Sequence, residues 1–236
     1  MGRIWTVCSG SGGVGKSTLA LSLAVGAAKA GKQTVLLDAS GISRSCDLIL
    51  GMESVVVLDM VDVIGQEADL RAALYRVPQY DHLCFACASL YDSVPFSELS
   101  SAMLALHTQC EILVIDLPTG QIDLGEELLR RDDERIIVTR PDDASVRAAE
   151  RIMLRAARGE AGMRLAINRM NRNAARRGMQ YDASTVETIL DCQKVACIPE
   201  DESIQAAAQK GRAAIECKGP ARHALLDMVT TLLGTA

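Results

Sequence analysis

Aromatic residues are scarce in this 236-residue chain: one Trp, four Tyr and two Phe make up only 3% of it. A core with so few rings must be built from aliphatic side chains and Ala, as is usual where a sheet packs against helices on both sides. Hydrophobic residues reach 49% and charged residues 23%, which excludes an intrinsically disordered chain. The length suits one large domain, and we expect a single domain over residues 1–236.

Long apolar runs, clustered histidines and excess positive charge are also lacking. No run approaches the ~20 residues that a membrane-spanning helix needs. His82, His107 and His223 are scattered without metal-binding spacing. A formal net charge of -5 argues against a surface dedicated to nucleic acid. We therefore expect a cytoplasmic protein that contacts a membrane only through a partner.

Eight cysteines are present, and we expect no secretory signal because a strand-like run lies near the N-terminus. We expect these thiols to be reduced. Cys84 and Cys87 form a CxxC pair, which in other settings binds metal or carries redox chemistry. Here the pair lies in a predicted strand, where residues three apart face opposite sides of a sheet. A structural role is therefore favoured for both.

Short β-rich runs alternate with longer helical patterns, without a repeat or linker between them. This alternation predicts a doubly wound, mostly parallel α/β sheet flanked by helices. Two predicted strands, Thr34–Asp38 and Ile112–Asp116, have apolar centres without alternation, as expected for strands covered on both faces. The other predicted strands are Ile4–Cys8, His82–Ala86, Arg135–Thr139, Arg164–Asn168 and Val195–Ile198. The predicted helices are Gly15–Ala30, Val57–Ile64, Phe96–Leu106, Ala144–Ala157, Ala183–Leu190, Ile204–Ala208 and Ala221–Leu233.

Residues 10–17, Gly-Ser-Gly-Gly-Val-Gly-Lys-Ser, match the phosphate-loop pattern GxxxxGK[ST]. Glycines let such a loop curl so that backbone N–H groups point at phosphate oxygens, and the following helix adds the positive end of its dipole. In this pattern Lys16 reaches the β- and γ-phosphates and the Ser17 hydroxyl ligates Mg²⁺. Lys16 is the predicted catalytic residue. The predicted phosphate-binding residues are Ser11, Gly12, Gly13, Val14, Gly15, Lys16, Ser17 and Thr18.

Two aspartates end buried strands of the predicted sheet. Asp116 ends an apolar strand next to the phosphate loop, where a carboxylate can hold the shell of a Mg²⁺ ion, usually through water. Asp38 ends a second such strand and is a candidate for the same role. Together with Ser17, these aspartates are the predicted metal-binding residues.

In their order along the chain, these residues resemble the MinD/ParA family of P-loop ATPases, and within it the regulators of division-site placement. The resemblance implies ATP and Mg²⁺ as cofactors, an ATP-dependent homodimer that meets face to face, and a regulatory protein partner. It also implies that Asn168 reads the adenine edge, since its amide offers a donor and an acceptor, and that Pro199 and Glu200 flank the ring. The matching segments are Ser9–Thr18, Leu36–Glu53, Val61–Ile64, Asp116–Gly120, Ala144–Arg147, Ile198–Ser203 and Gly211.

The chain departs from the family pattern at three places. Where the family has a lysine that reaches the partner's phosphates across the dimer, this chain has the uncharged Ser11, which predicts a weaker ATP-locked dimer. Where the family has a second aspartate two residues after Asp38, this chain has Ser40, a poor general base for the attacking water. The predicted last helix, Ala221–Leu233, lacks the basic polar face of a membrane-docking helix, so we expect it to pack on its own domain.

These departures leave two main functions open. The first is an ATP-dependent switch with slow hydrolysis that acts in division-site placement or a related positioning process. The second is an ATP-binding scaffold or regulator that does not hydrolyse ATP, which Ser11 and Ser40 favour.

Two other functions are weighed against these. A ParA-like DNA-positioning protein would use an arginine cluster that we expect to form a solvated loop, and the negative net charge makes nucleic acid an unlikely partner. An iron–sulfur carrier would need a CxxC pair in the C-terminal part, and the chain offers only Cys84 and Cys87. The arginine cluster consists of Arg169, Arg172, Arg176 and Arg177.

Overall fold

The computed structural model describes residues 2–41, 45–89, 96–122, 129, 132–156 and 162–234. Within these ranges, eight strands form one sheet in the order β3-β4-β2-β5-β1-β6-β7-β8. The neighbouring strands are parallel except for the antiparallel pair β3 and β4. The strands are β1 (Arg3–Cys8), β2 (Thr34–Asp38), β3 (Tyr75–Arg76), β4 (Leu83–Cys87), β5 (Ile112–Asp116), β6 (Glu134–Thr139), β7 (Gly162–Met170) and β8 (Lys194–Pro199).

Helices cover both faces of this sheet. The helices are α1 (Lys16–Lys29), α2 (Cys46–Leu50), α3 (Met60–Ile64), α4 (Phe96–His107), α5 (Asp143–Ala156), α6 (Arg172–Arg176), α7 (Ala183–Leu190), α8 (Glu202–Ala208) and α9 (Ala221–Leu233). A short 3-10 helix spans Ala214–Glu216. None of the helices in these ranges is both long enough and apolar enough to cross a bilayer.

Alternating residues of the strands pack into two apolar cores, one on each face of the sheet. In β1, Trp5 and Val7 pack with α1 and α9 on one face, whereas Ile4 and Cys8 pack with α4, α5 and α7 on the other. The strands β2 and β5 are buried at every position, which explains their unbroken apolar sequences. The doubly wound α/β fold expected from the sequence is confirmed.

Four predicted elements have the bounds that the structure gives. Both central strands and the helices Ala183–Leu190 and Ala221–Leu233 have the predicted bounds. The last helix also packs on its own domain as expected, because Leu225, Val229 and Leu232 are buried in the first core. The predicted end of α5 at Ala157 lies outside the described residues.

Other bounds were wrong for local reasons. The predicted strand start at His82 fails because His82 has a φ of 66°, so β4 begins one residue later. The predicted helix Val57–Ile64 begins only at Met60, since the Asp59 side chain accepts hydrogen bonds from the N–H groups of the first turn and caps it. The predicted strand Arg164–Asn168 extends in both directions to form β7.

One carboxylate caps the starts of the last two α-helices. Asp201 Oδ1 accepts from Ser203 N (2.9 Å) at the start of α8, and Oδ2 accepts from Ala221 N (3.0 Å) at the start of α9. The backbone of Gly219 passes so close that an ideal Cβ on it would lie 2.1 Å from Asp201 Oδ2. A side chain at position 219 must therefore displace this double cap.

Gly219→Ala is expected to lower the free energy of unfolding by about 2 kcal/mol, since overpacking a close contact costs ~1–3 kcal/mol. Urea unfolding monitored by circular dichroism measures the change. The matched control is Gly12→Ala, because a Cβ on Gly12 would meet nothing within 4 Å. Equal stabilities of the two variants would contradict the role of Asp201 as a shared cap.

Candidate nucleotide-binding site

The phosphate loop connects β1 to α1, and its backbone adopts conformations that favour glycine. Gly13 and Gly15 have φ values of 70° and 95°, in the left-handed region. Gly15 is the N-cap residue of α1 and has no side chain to cap it, so the first backbone N–H groups of α1 are directed towards the loop. This arrangement is an anion-binding helix start of the kind that holds phosphate groups.

Two neighbours hold this loop in place. An ideal Cβ on Gly10 would lie 2.0 Å from Ala148 O, so the loop backbone packs directly on α5. A Cβ on Gly15 would lie 2.2 Å from Asn168 Nδ2, so the end of β7 closes over the other side. Glycine is therefore required at position 10 by close approach, and at position 15 by close approach as well as by backbone conformation.

Lys16 forms a buried ion pair with Asp116. Its Nζ lies 2.5 Å from Asp116 Oδ1, and the two side chains are 8% and 0% exposed. Burial raises the pKa of Asp116 to about 6, because desolvation of the carboxylate outweighs the attraction of the Lys16 ammonium. Asp116 thus holds the Lys16 ammonium beside the loop. A bound phosphate would compete with this carboxylate for the ammonium.

The predicted metal-binding residues come together at one edge of the sheet. Asp38 and Asp116 are register partners on the adjacent strands β2 and β5, and the Ser17 side chain lies close enough to Asp116 to favour its charged form. Asp38 Oδ1 accepts from Ser40 N (3.0 Å) and Ser40 Oγ (2.5 Å). Carboxylate and hydroxyl oxygens are the ligands that Mg²⁺ prefers, so this donor set fits the predicted ion.

A thiol that sequence reasoning missed joins this group. The Sγ of Cys46 and carboxylate oxygens of Asp38 and Asp116 all lie within 4.8 Å of one another, and all three residues are buried. Burial, with the nearby carboxylates, raises the pKa of Cys46 well above its usual value. The sequence carried no signal for this residue, since only the placement of α2 beside the two strand ends brings it here.

A cavity of about 460 Å³ lies beside the loop, and neither of the two aspartates is among its lining residues. Asn168 is 5% exposed here: its Nδ2 donates to Val14 O (2.8 Å) and its Oδ1 accepts from Arg169 N (2.9 Å). An amide has two N–H groups and two acceptor sites, so one of each stays available for a base. The predicted residues that line this cavity are Gly15, Thr18, Asn168, Pro199 and Glu200.

The cysteines have the predicted structural character. Cys84 faces the second core and Cys87 the first, so the CxxC thiols lie on opposite sides of the sheet and cannot ligate one cluster. All eight thiols are free. Burial raises the pKa of the Cys8 thiol to about 12, which keeps it protonated and unreactive near neutral pH.

The arginine cluster is exposed as expected, but it is not a loop. The Asn171 side chain accepts from Asn173 N and Ala174 N, and this cap starts the short helix α6. Arg172 and Arg176 lie on that helix with acidic residues across the same groove. The acidic neighbours are Glu200, Asp201, Glu202 and Asp227.

The fold and this site define a P-loop nucleotide-binding protein. Residues 5–215 match the model of the CobQ/CobB/MinD/ParA nucleotide binding domain, and the chain belongs to that family. It is 35% identical over 249 residues to the septum site-determining protein MinD of Escherichia coli K12, an alignment that covers 99% of this chain and 92% of that protein.

Solved structures agree with this assignment. MinD in a MinC:MinD cell division protein complex from Aquifex aeolicus is 26% identical, with a TM-score of 0.83 and coverage of 99% of this chain and 96% of that one. The MinD of Pyrococcus horikoshii, solved with Mg-ADP, is 22% identical, with a TM-score of 0.79 and coverage of 98% and 96%. At that identity, the likeness to the P. horikoshii protein shows the shared fold.

Proposed function

We propose that the chain is a MinD-like, ATP-binding switch protein that regulates division-site placement or a related positioning process and hydrolyses ATP slowly. The observation that carries the proposal is the meeting of the phosphate loop, Lys16, Asp38 and Asp116 at one edge of the sheet. This site stands in a chain 35% identical to E. coli MinD over 99% of its length.

Each part of Mg-ATP has residues to receive it. The loop backbone from Ser11 to Thr18 and the Lys16 ammonium would hold the phosphates, and Asn168 would present its remaining amide groups to the adenine in the adjoining cavity. Ser17, Asp38 and Asp116 would hold Mg²⁺, directly or through water. The ion, when bound, offsets negative charge on the phosphate oxygens. The P. horikoshii relative, solved with Mg-ADP, supports this pair of ligands.

The slow hydrolysis follows from the residue at position 40. Ser40 donates its hydroxyl hydrogen to Asp38 Oδ1, which places a hydroxyl group beside the candidate metal site, and a hydroxyl group can hold a water molecule. A hydroxyl withdraws a proton poorly, because its own basicity is far below that of a carboxylate. The site can therefore position a water molecule better than it can activate one.

The proposed partner is a regulatory protein, together with a second copy of this chain in the ATP state. The MinD of A. aeolicus was solved in a complex with MinC, which supports recognition of a protein partner. Ser11 supplies no cation to a neighbouring copy, so the ATP-bound dimer should be weaker than one with a lysine at this position. A DNA-binding function receives less support, because acidic residues share the groove of the exposed arginines.

Ser11→Lys is expected to strengthen Mg-ATP-dependent dimerisation by about tenfold, since a charge-assisted contact to a phosphate contributes ~1.5–3 kcal/mol. Sedimentation velocity with a slowly hydrolysed ATP analogue measures the dimer, and steady-state hydrolysis is followed in the same samples. Ser11→Gln is the matched control, because it has similar length but no charge.

The wild-type chain should release phosphate above background and dimerise more with ATP than with ADP. Equal dimerisation of the lysine and glutamine variants would contradict the role assigned to position 11. Retained ATP binding with no turnover in any variant would favour the non-hydrolysing scaffold instead.

A further inference from the structure

The candidate magnesium pocket contains a sulfur atom, which hard cations do not select. We propose that Asp38, Cys46 and Asp116 form a site for a thiophilic divalent metal ion such as Zn²⁺ or Co²⁺, with Cys46 Sγ as a direct ligand. The role of such an ion as a competitor of Mg²⁺ rests on the proposed function. The existence of the site does not, because it can be tested without nucleotide.

The distances suit a single bound ion. Cys46 Sγ lies 4.0 Å from Asp116 Oδ2, and the ligand atoms of all three residues lie within 4.8 Å of one another. A tetrahedral zinc ion, with Zn–S near ~2.3 Å and Zn–O near ~2.1 Å, holds neighbouring ligand atoms roughly 3.5 Å apart. The three ligand atoms therefore need to move inward by about 1 Å or less to bind one ion.

The hydrogen bonds around the three residues leave ligand atoms directed towards the space between them. Asp116 Oδ1 is engaged by Lys16, and its other oxygen faces the thiol. Cys46 N donates to Asp38 Oδ2 at 3.3 Å, which fixes the start of α2 against the carboxylate. The thiol lies 3.9 Å from Ser17 O and 4.0 Å from Asp116 Oδ2, and a metal bond would replace these long contacts.

The charge balance also favours a divalent cation. Asp38, Cys46 and Asp116 are at most 1% exposed, and of the two carboxylates Asp116 pairs with the Lys16 ammonium. When the Sγ–metal bond forms, the thiol proton passes to solvent, and a thiolate with two carboxylates then surrounds the ion. A water molecule or a phosphate oxygen can take the fourth position.

Cys46 would make this pocket discriminate between metals. Mg²⁺ demands oxygen ligands in octahedral geometry and gains little from a thiolate, whereas Zn²⁺, Co²⁺ and Cd²⁺ bind sulfur well. An ion held by Cys46 occupies the two carboxylates that Mg²⁺ would use. The pocket would therefore admit Mg-ATP only when thiophilic metal is scarce.

Titration of the full, nucleotide-free chain with Co²⁺ in excess Mg²⁺ tests the site. We expect one ion per chain and a near-ultraviolet sulfur-to-cobalt charge-transfer band. Cys46→Ala should lose the band and bind Co²⁺ at least about tenfold more weakly. The matched control is Cys217→Ala, because that buried thiol also lies 4.0 Å from a carboxylate, but from Asp201 alone, and its loss should leave the band unchanged.

A band that persists in Cys46→Ala, or that is lost equally in Cys217→Ala, would overturn the proposal. Cadmium NMR of the wild-type chain needs no variant to fold: a shift typical of sulfur coordination supports the site, and a shift typical of all-oxygen coordination refutes it. Mg-ATP binding is measured separately on the same protein. Its failure would count against the proposed function and leave the metal result standing.

Discussion

Lys16→Ala is expected to weaken Mg-ATP binding by about a hundredfold and to remove any hydrolysis. A hydrogen bond between charged groups contributes ~1.5–3 kcal/mol, and about 1.4 kcal/mol corresponds to a tenfold change in affinity. The loss should reach the upper end of that range, because Asp116 would be left buried without its ammonium and would repel the phosphates. Calorimetric titration with Mg-ATP and a phosphate-release assay measure the two effects.

Lys29→Ala is the matched control for this variant. Lys29 lies on the same helix, but its side chain is 51% exposed and pairs with Glu216 at the surface. Its removal should leave ATP affinity unchanged, since exposed ion pairs contribute little. Circular dichroism establishes that both variants are folded. Wild-type ATP affinity in a folded Lys16→Ala protein would refute the assignment of the phosphate site.

Gly15→Ala is expected to lower the free energy of unfolding by about 3 kcal/mol and to abolish ATP binding. The φ of 95° is unfavourable for any residue with a Cβ, at a cost of ~1–2 kcal/mol. The new Cβ would also lie 2.2 Å from Asn168 Nδ2 and break its hydrogen bond to Val14 O, which adds ~1 kcal/mol or more. Urea unfolding gives the first quantity, and titration with Mg-ATP the second.

Gly31→Ala separates the two contributions to this loss. Gly31 has a φ of 83°, but a Cβ on it would meet nothing within 4 Å, so this variant carries the backbone strain without the collision. The difference between the two variants measures the overlap with Asn168. Adding Asn168→Ala to Gly15→Ala should restore part of the stability, because it removes the overlapped amide. Equal losses for Gly15→Ala and Gly31→Ala would show that the contact with β7 is unimportant.

Sequence patterns predicted the features that depend on neighbouring residues in the chain. The apolar strands β2 and β5, the phosphate loop and the aspartates at both strand ends follow from local hydrophobicity and a spaced motif. Because parallel strands end at the same edge of a sheet, Asp38 and Asp116 could be expected to meet.

Features that depend on distant contacts escaped prediction. The helices α2 and α6 have five residues each, and β3 has two, which is too short for a hydrophobic period to show. Cys46 reaches the carboxylates only through the placement of α2. The bond from Asn168 to Val14 joins residues 154 positions apart, and no local pattern records it.

The ion pair of Lys16 with Asp116 couples the binding of the nucleotide to the binding of Mg²⁺. Phosphates that draw the lysine away leave a carboxylate that is 0% exposed and stripped of its adjacent cation. A magnesium ion beside Asp116 replaces the positive charge that the lysine supplied. Bound nucleotide therefore favours metal binding, and bound metal lowers the free-energy cost of nucleotide binding. Coupling between two binding equilibria is reciprocal, and each ligand must therefore raise the affinity for the other by the same factor.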